Sequence, residues 1–217
     1  DKGGMRPMQK PTHAFCDGSV HDGRAGLGVF YEHGNPLNFS AGVNAPLDNN
    51  RAELAAAYVA VLRHPRHEPL TVFTDSRFVL GTVQAFVRGM PVEKERQLAL
   101  SLRRALQLRR ARTLFRKIQA HKGHPAHDIA DGLAKVGARS GPDLRLPGPH
   151  AREWLVEVAA LLRHTTAPPP PPEAPAVGGA VSRGPRPAGA GSGRKRPAAT
   201  SEDHGATEVV AIDCEMV

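Results

Sequence analysis

Residues 12–140 open with three extended apolar runs in succession and only then alternate between extended and helical periodicity, an order that few folds accommodate. The runs "HAFCDGS" and "AGLGVFYEHG" read as strands, and "PLNFSAGV" follows the turn "HGNP" as a third. Three consecutive strands joined by short turns make an antiparallel meander. "NNRAELAAAYVAVLRH" then opens with asparagines fit for a helix N-cap and repeats Leu54, Tyr58, Val61 and Leu62 on one face. "PLTVFTDS" returns to strand and "RFVLGTVQAFV" to helix. "EKERQLALSLRRALQLRR" puts Leu98, Leu102 and Leu106 on one helical stripe with arginines around it. "TLFRKIQAH" alternates Leu114, Ile118 and Ala120 against Thr113, Lys117 and His121, as a half-buried strand does. A last helix, "HDIADGLAKVGA", turns Ile129, Leu133 and Val136 toward the core. The order βββαβααβα predicts an α/β fold with a mixed sheet, in which strands that flank a helix are joined by right-handed crossovers.

From residue 167 onward Pro, Gly, Ala and Ser dominate, and such a segment buries too little apolar surface to offset its ordering entropy. The expected organisation is a disordered segment at 1–11, a folded domain at 12–140 and a connector at 141–166 that carries a short amphipathic helix, "AREWLVEVAALLRH". A disordered basic linker at 167–206 and a final extended run at 207–217 complete it. The chain starts on Asp and is read as a piece of a longer product. Lys and Arg total 29 against 21 acids, a net charge of +8 and a pI near 10.1, which favours a polyanionic partner and above all nucleic acid. Two cysteines, Cys16 and Cys214, offer no framework for disulfides or zinc. No run has the length of a membrane span and no secretion signal is visible, so a soluble intracellular monomer is expected. The cluster in "SRGPRPAGAGSGRKRP" reads as a nuclear import signal.

Four acids fall at telling places. Asp17 is expected to close the first strand and Asp75 the fourth, while Glu53 opens the first helix and Asp131 sits in the last. Two strands thus end in carboxylates at the sheet edge where open α/β sheets collect ligands. Carboxylates gathered within a few ångströms resist ionisation unless a cation is present. Hard oxygen donors without cysteine select Mg²⁺ or Mn²⁺, and two such ions can drive an in-line displacement at phosphorus.

"FCDGS", "NNRAEL", "FTDSRFV" and "HKGHPAHDIADGLA", in this order and context, resemble ribonuclease H of type 1 over about residues 12–140. The resemblance implies a five-stranded mixed sheet with helices on both faces. It also implies metal-dependent endonucleolytic cleavage of the RNA strand of RNA/DNA hybrids, with 5′-phosphate and 3′-hydroxyl ends. Asp17, Glu53, Asp75 and Asp131 match the family's metal-binding carboxylates, serving two Mg²⁺ ions with Mn²⁺ as a substitute. His121 lies where the family keeps a mobile histidine that assists proton movement or product release, a role suited to a group titrating near neutral pH. His124 and His127 are read as ordinary surface or core residues, and Asp128 stands where an acid is common.

Gly18, Ser19, Asn49 and Asn50 match positions that touch RNA 2′-hydroxyls, the one group that separates RNA from DNA locally. Between Arg77 and Lys122 twelve basic residues face two acids, and this stretch is expected to border the site and track phosphates. The short "RGMPVEK" leaves no room for the tryptophan-bearing basic protrusion of bacterial relatives, so Arg103, Arg104, Arg109, Arg110 and Arg112 are expected to stand in for it. The competing readings are the RNase H part of a retroelement-derived polyprotein and a module that binds nucleic acid without cleaving it.

The last residues, "EVVAIDCEMV", resemble the first motif of DEDD-type 3′–5′ exonucleases of the interferon-stimulated group, with Asp213 and Glu215 at the metal-binding positions. With the rest of that sheet missing, no exonuclease site is expected here, and the run is expected to be a frayed tail.

Overall fold

Asp22 and Gly23, both with positive φ (47° and 76°), form a two-residue hairpin turn between β1 (Thr12–His21) and β2 (Arg24–Phe30). In this computed structural model the described residues are 10–43, 48–119, 124–144, 146 and, for the backbone alone, 209–212. They all belong to one unit, Asp1–Pro171 with Thr207–Val217. The meander continues into β3 (Phe39–Val43), and α1 (Asn49–Arg63) leads to β4 (Leu70–Thr74). Then come α2 (Arg77–Val87), α3 (Arg96–Gln107), β5 (Thr113–Lys117), α4 (Pro125–Ser140), β6 (Asp143–Leu144) and β7 (Val209–Ile212).

The sheet order is β6-β3-β2-β1-β4-β5-β7. Strands β1, β2 and β3 pair antiparallel with one another, whereas β4 runs parallel to both β1 and β5 and β6 runs parallel to β3. The expected mixed sheet and element order therefore hold, with two short strands added at the edges. β6 extends β3, and β7 pairs antiparallel with β5, so 209–212 is an edge strand rather than a frayed tail. An open edge presents unpaired amides and carbonyls that accept any extended apolar run.

Alternation along β1 sends Ala14, Cys16 and Gly18 toward α1 and sends Phe15 and Asp17 toward α4. The larger core lies on the α1 side, where α1 is buried on every side from Ala52 to Leu62 rather than along one stripe. Its alanines let β1, β2 and α3 close around it. On the other face α4 packs on β1, β2 and β3 through Ala130, Leu133, Ala134, Gly137 and Ala138. Ile129 and Val136, expected in the core, are only half-buried. The small residues win because α4 lies directly on backbone: a Cβ at Gly28 would fall 2.1 Å from the Ala130 carbonyl oxygen. In β5 the buried residues are Thr113 and Phe115, not Leu114, because that side meets the larger core. The helix cap of α1 is Asp48, whose carboxylate accepts from the Asn50 amide at 2.9 Å, so Asn49 and Asn50 are the first helical residues and not its caps.

Candidate active site

Asp17 sits in the middle of β1, not at its end, yet the parallel pairing with β4 covers only Thr12–Phe15. Asp17 thus stands just past the carboxyl end of β4, supported by β2 alone, and is 7% exposed. Asp75 follows β4 directly. The Thr74 hydroxyl accepts from the Ser76 amide at 3.1 Å and the Ser76 hydroxyl accepts from the Val79 amide at 3.3 Å, which fixes the strand-to-helix junction on either side of Asp75. Glu53, also 7% exposed, arrives from the first turns of α1. The start of α1 lies against β1 because Gly18 has no side chain: a Cβ there would lie 2.3 Å from the Glu53 nitrogen, and the Asp17 charge acts on the Glu53 carboxyl. Asp131 sits on α4 and accepts from Lys135 at 2.5 Å, one helical turn on.

His127 completes the group. It lies one turn before Asp131 on α4, is 6% exposed, and holds its Nε2 3.5 Å from an Asp75 carboxylate oxygen. One ligand atom from each of Asp17, Asp75 and His127 lies within 4.8 Å of the others. The sequence contained a sign of this, since His127 and Asp131 are four apart and so share a helix face. Among eleven histidines that spacing did not stand out.

Burial pushes the Asp17 carboxyl up to about 7; the nearby His127 opposes this, while Asp75 and Asp131 add to it. Burial likewise pushes Glu53 up to about 9, helped by Asp17 and Asp75 and opposed by the Gly18 amide. His127 is raised on balance: burial alone lowers it, but the Asp75 contact and the charges of Asp17, Asp75 and Asp131 outweigh that. One buried Glu53 oxygen, Oε2, and the His127 Nδ1 find no hydrogen-bond partner among the described residues. Clustered acids that resist ionisation, with an unpartnered buried oxygen among them, fit a divalent cation.

Ser19, Asn49, Asn50 and Arg77 gather at the same end of the sheet, Asn49 and Arg77 exposed and Ser19 and Asn50 half-buried. Gly18 is buried, so its glycine identity answers to the packing of α1. His121, Asp213 and Glu215 lie outside the described residues, as do 1–9 and 147–208. The His124 ring, at the start of α4, lies tilted by 38° against Phe15 with centroids 4.8 Å apart.

The basic stretch divides. Lys94 pairs with Asp48 at 3.1 Å and Lys117 is level with Thr74, so both stand at the site end. Arg109, Arg110 and Arg112 do not. Arg109 is 3% exposed and donates to the Glu68 carbonyl at 2.6 Å, the His64 carbonyl at 3.2 Å and the Thr113 hydroxyl at 2.6 Å. Arg110 and Arg112 join the same far end, where α1 finishes and β4 begins. Arg109 is a structural cation, and these three cannot replace a protrusion beside the carboxylates. In the run "LRRAR" nothing local sets Arg109 apart from its neighbours or marks the carbonyls of Val61, His64 and Glu68 that converge on it.

Fold and site define a class: a mixed α/β domain with acids gathered at the centre of its sheet, an arrangement that fits divalent cations. A family model described as RNase H matches residues 9–139. The ribonuclease H of Rhizobium meliloti is 32% identical over 143 residues, covering 59% of this chain and 90% of that protein. Ribonuclease HI of Caulobacter vibrioides is 31% identical over 136 residues, with 59% and 90% covered. Ribonuclease H1 of Mus musculus is 27% identical over 135 residues, covering 55% of this chain and 46% of that protein. The chain belongs to the RNase H family, and its enzyme class is ribonuclease H. Among the described residues no helix is long and apolar enough to cross a membrane.

Proposed function

We propose that the chain hydrolyses the RNA strand of RNA/DNA hybrids with two divalent cations of the Mg²⁺/Mn²⁺ class, held by Asp17, Glu53, Asp75 and Asp131. Bound there, the cations supply an activated water and neutralise charge at the leaving oxygen of an in-line displacement at phosphorus. Asp17 is the hub, since it influences Glu53 and responds to Asp75 and Asp131. Glu53 closes the group from α1 and Asp131 from α4. His121 is assigned the proton transfer near the leaving group, on chemistry and on its distance of ten residues from Asp131. Ser19, Asn49 and Asn50 are assigned the RNA 2′-hydroxyls, and Arg77, Lys94 and Lys117 the phosphates, because all stand at the site end of the sheet.

The observation that carries this reading is the buried pair Asp17 and Glu53, with a Glu53 oxygen left without a partner. A module that only bound polyanions would gain nothing from it. The experiment is incubation of the 217-residue chain with a hybrid labelled on the RNA strand, beside duplex RNA, duplex DNA and single strands. Cutting of the hybrid alone, dependent on divalent cation, is expected. Binding without cutting under either Mg²⁺ or Mn²⁺ overturns the enzymatic reading in favour of the binding module.

A further inference from the structure

We infer that His127 is itself a metal ligand, so that the centre is a mixed nitrogen and oxygen seat that prefers Mn²⁺ to Mg²⁺. This rests on the functional reading above and names the ion preference of the same site. The geometry carries it. His127 is 6% exposed and shares a space of 4.8 Å with carboxylate oxygens of Asp17 and Asp75. Donors on one ion at bond lengths of about 2.1 Å lie roughly 4.2 Å apart when opposite and about 3.0 Å apart when adjacent, so His127 and Asp75, at 3.5 Å, already fall within the range that one ion spans.

The alternative is that His127 merely hydrogen-bonds Asp75. At 3.5 Å the contact is longer than the usual 2.7–3.2 Å, and the ring stands off from Asp75 with Asp17 facing the same gap. Pro125 begins α4 and the His127 amide donates to the His124 carbonyl at 2.9 Å, which fixes the backbone from which the buried ring projects. The His127 Nε2 faces the Asp75 carboxylate.

The consequence is chemical. Mg²⁺ prefers oxygen donors in near-ideal octahedral geometry, whereas imidazole nitrogen suits transition-metal divalent ions. One nitrogen ligand therefore tilts the seat toward Mn²⁺ while Asp17 and Asp75 still accept Mg²⁺.

The test uses the intact chain loaded with Mn²⁺ alone and read by pulsed electron paramagnetic resonance. A nitrogen modulation is expected, shifting when the histidines carry ¹⁵N and disappearing in His127→Asn. The variant's Mn²⁺ affinity is expected to fall roughly tenfold, and its Mg²⁺ affinity much less. Labelling of the wild-type chain shows that a histidine is bound, and His121→Ala, in which the modulation is expected to persist, assigns it to His127 should His127→Asn fail to fold; loss of the modulation in a folded His121→Ala chain overturns the assignment. Mn²⁺ bound without nitrogen modulation, or a modulation that survives His127→Asn, overturns the ligand assignment while the nuclease reading stands. A chain that binds no divalent cation and cuts no hybrid overturns that reading as well.

Discussion

The Gly18→Ala substitution probes how the site is assembled. The new methyl would lie 2.3 Å from the Glu53 nitrogen, 2.5 Å from the Ala52 carbonyl carbon and 2.8 Å from the Ala52 Cβ. Ordinary contact begins at 3.4 Å, so the start of α1 must retreat by about 1.1 Å. Two of these neighbours are backbone atoms of a helix buried on all sides, and neither can yield by rotating a side chain. Overpacking of this kind costs about 1–3 kcal/mol and lowers Tm by several degrees. The displacement also carries Glu53 away from Asp17, and a misplacement of about 1 Å costs roughly 10²-fold in turnover. Calorimetry and single-turnover cleavage of a labelled hybrid measure the two effects. Gly81→Ala is the control, since Gly81 lies in the exposed face of α2 with nothing within 4 Å, and alanine there is expected to add about 0.5–1 kcal/mol. A Gly18→Ala variant with wild-type Tm and wild-type rate would falsify the argument that this glycine sets the distance between the two carboxylates.

The acid cluster makes stability depend on pH in an unusual direction. Asp17 and Glu53 hold protons in the fold up to about 7 and about 9, against ordinary values of 3.8 and 4.5, and His127 is also raised. Folding takes up protons, so the metal-free protein loses stability as pH rises from the ordinary carboxyl range through those values, and added Mn²⁺ should suppress the loss; thermal melts at several pH values with and without the ion check this. Arg109→Met leaves the carbonyls of Val61, His64 and Glu68 without their donor and is expected to cost about 3 kcal/mol while leaving cleavage at low temperature unchanged, which paired melts and rates would reveal. Arg77→Ala is expected to weaken hybrid binding across sequences and to lower the slope of log affinity against log salt by about one, as measured by titration at several salt concentrations.

Much of the fold was legible because it rests on local signals. Period-two and helical patterns located β1 to β5 and the four helices, and short turns gave the meander. What the pattern hid was set by distant contacts. Asp17 lies at mid-strand because β1 outruns its parallel partner, and no local residue announces that. The buried face of α4 is built of alanine and glycine rather than its larger apolar residues, because glycines in β2 bring the helix onto backbone. Arg109 reads in sequence as one of the arginines that stand in for a protrusion, and in space it is caged by carbonyls. At the site, the motif order named the carboxylates, but His127 emerged only once α4 had been set against Asp75. The pairing of Val209–Ile212 depends on an edge left open by β5, a property of the sheet and not of the segment.

The central claim is that the carboxylate group performs hydrolysis rather than only shaping a binding surface. Asp75→Asn tests it most directly, since amide replaces acid at nearly constant volume in a junction already fixed by Thr74 and Ser76. Single-turnover cleavage of an RNA-labelled hybrid should fall by about 10³-fold or more, with affinity for the same hybrid in chelator within about threefold of wild type, under 1 kcal/mol. A variant that still cuts at near the wild-type rate, with its folded state confirmed by melting, would contradict the account.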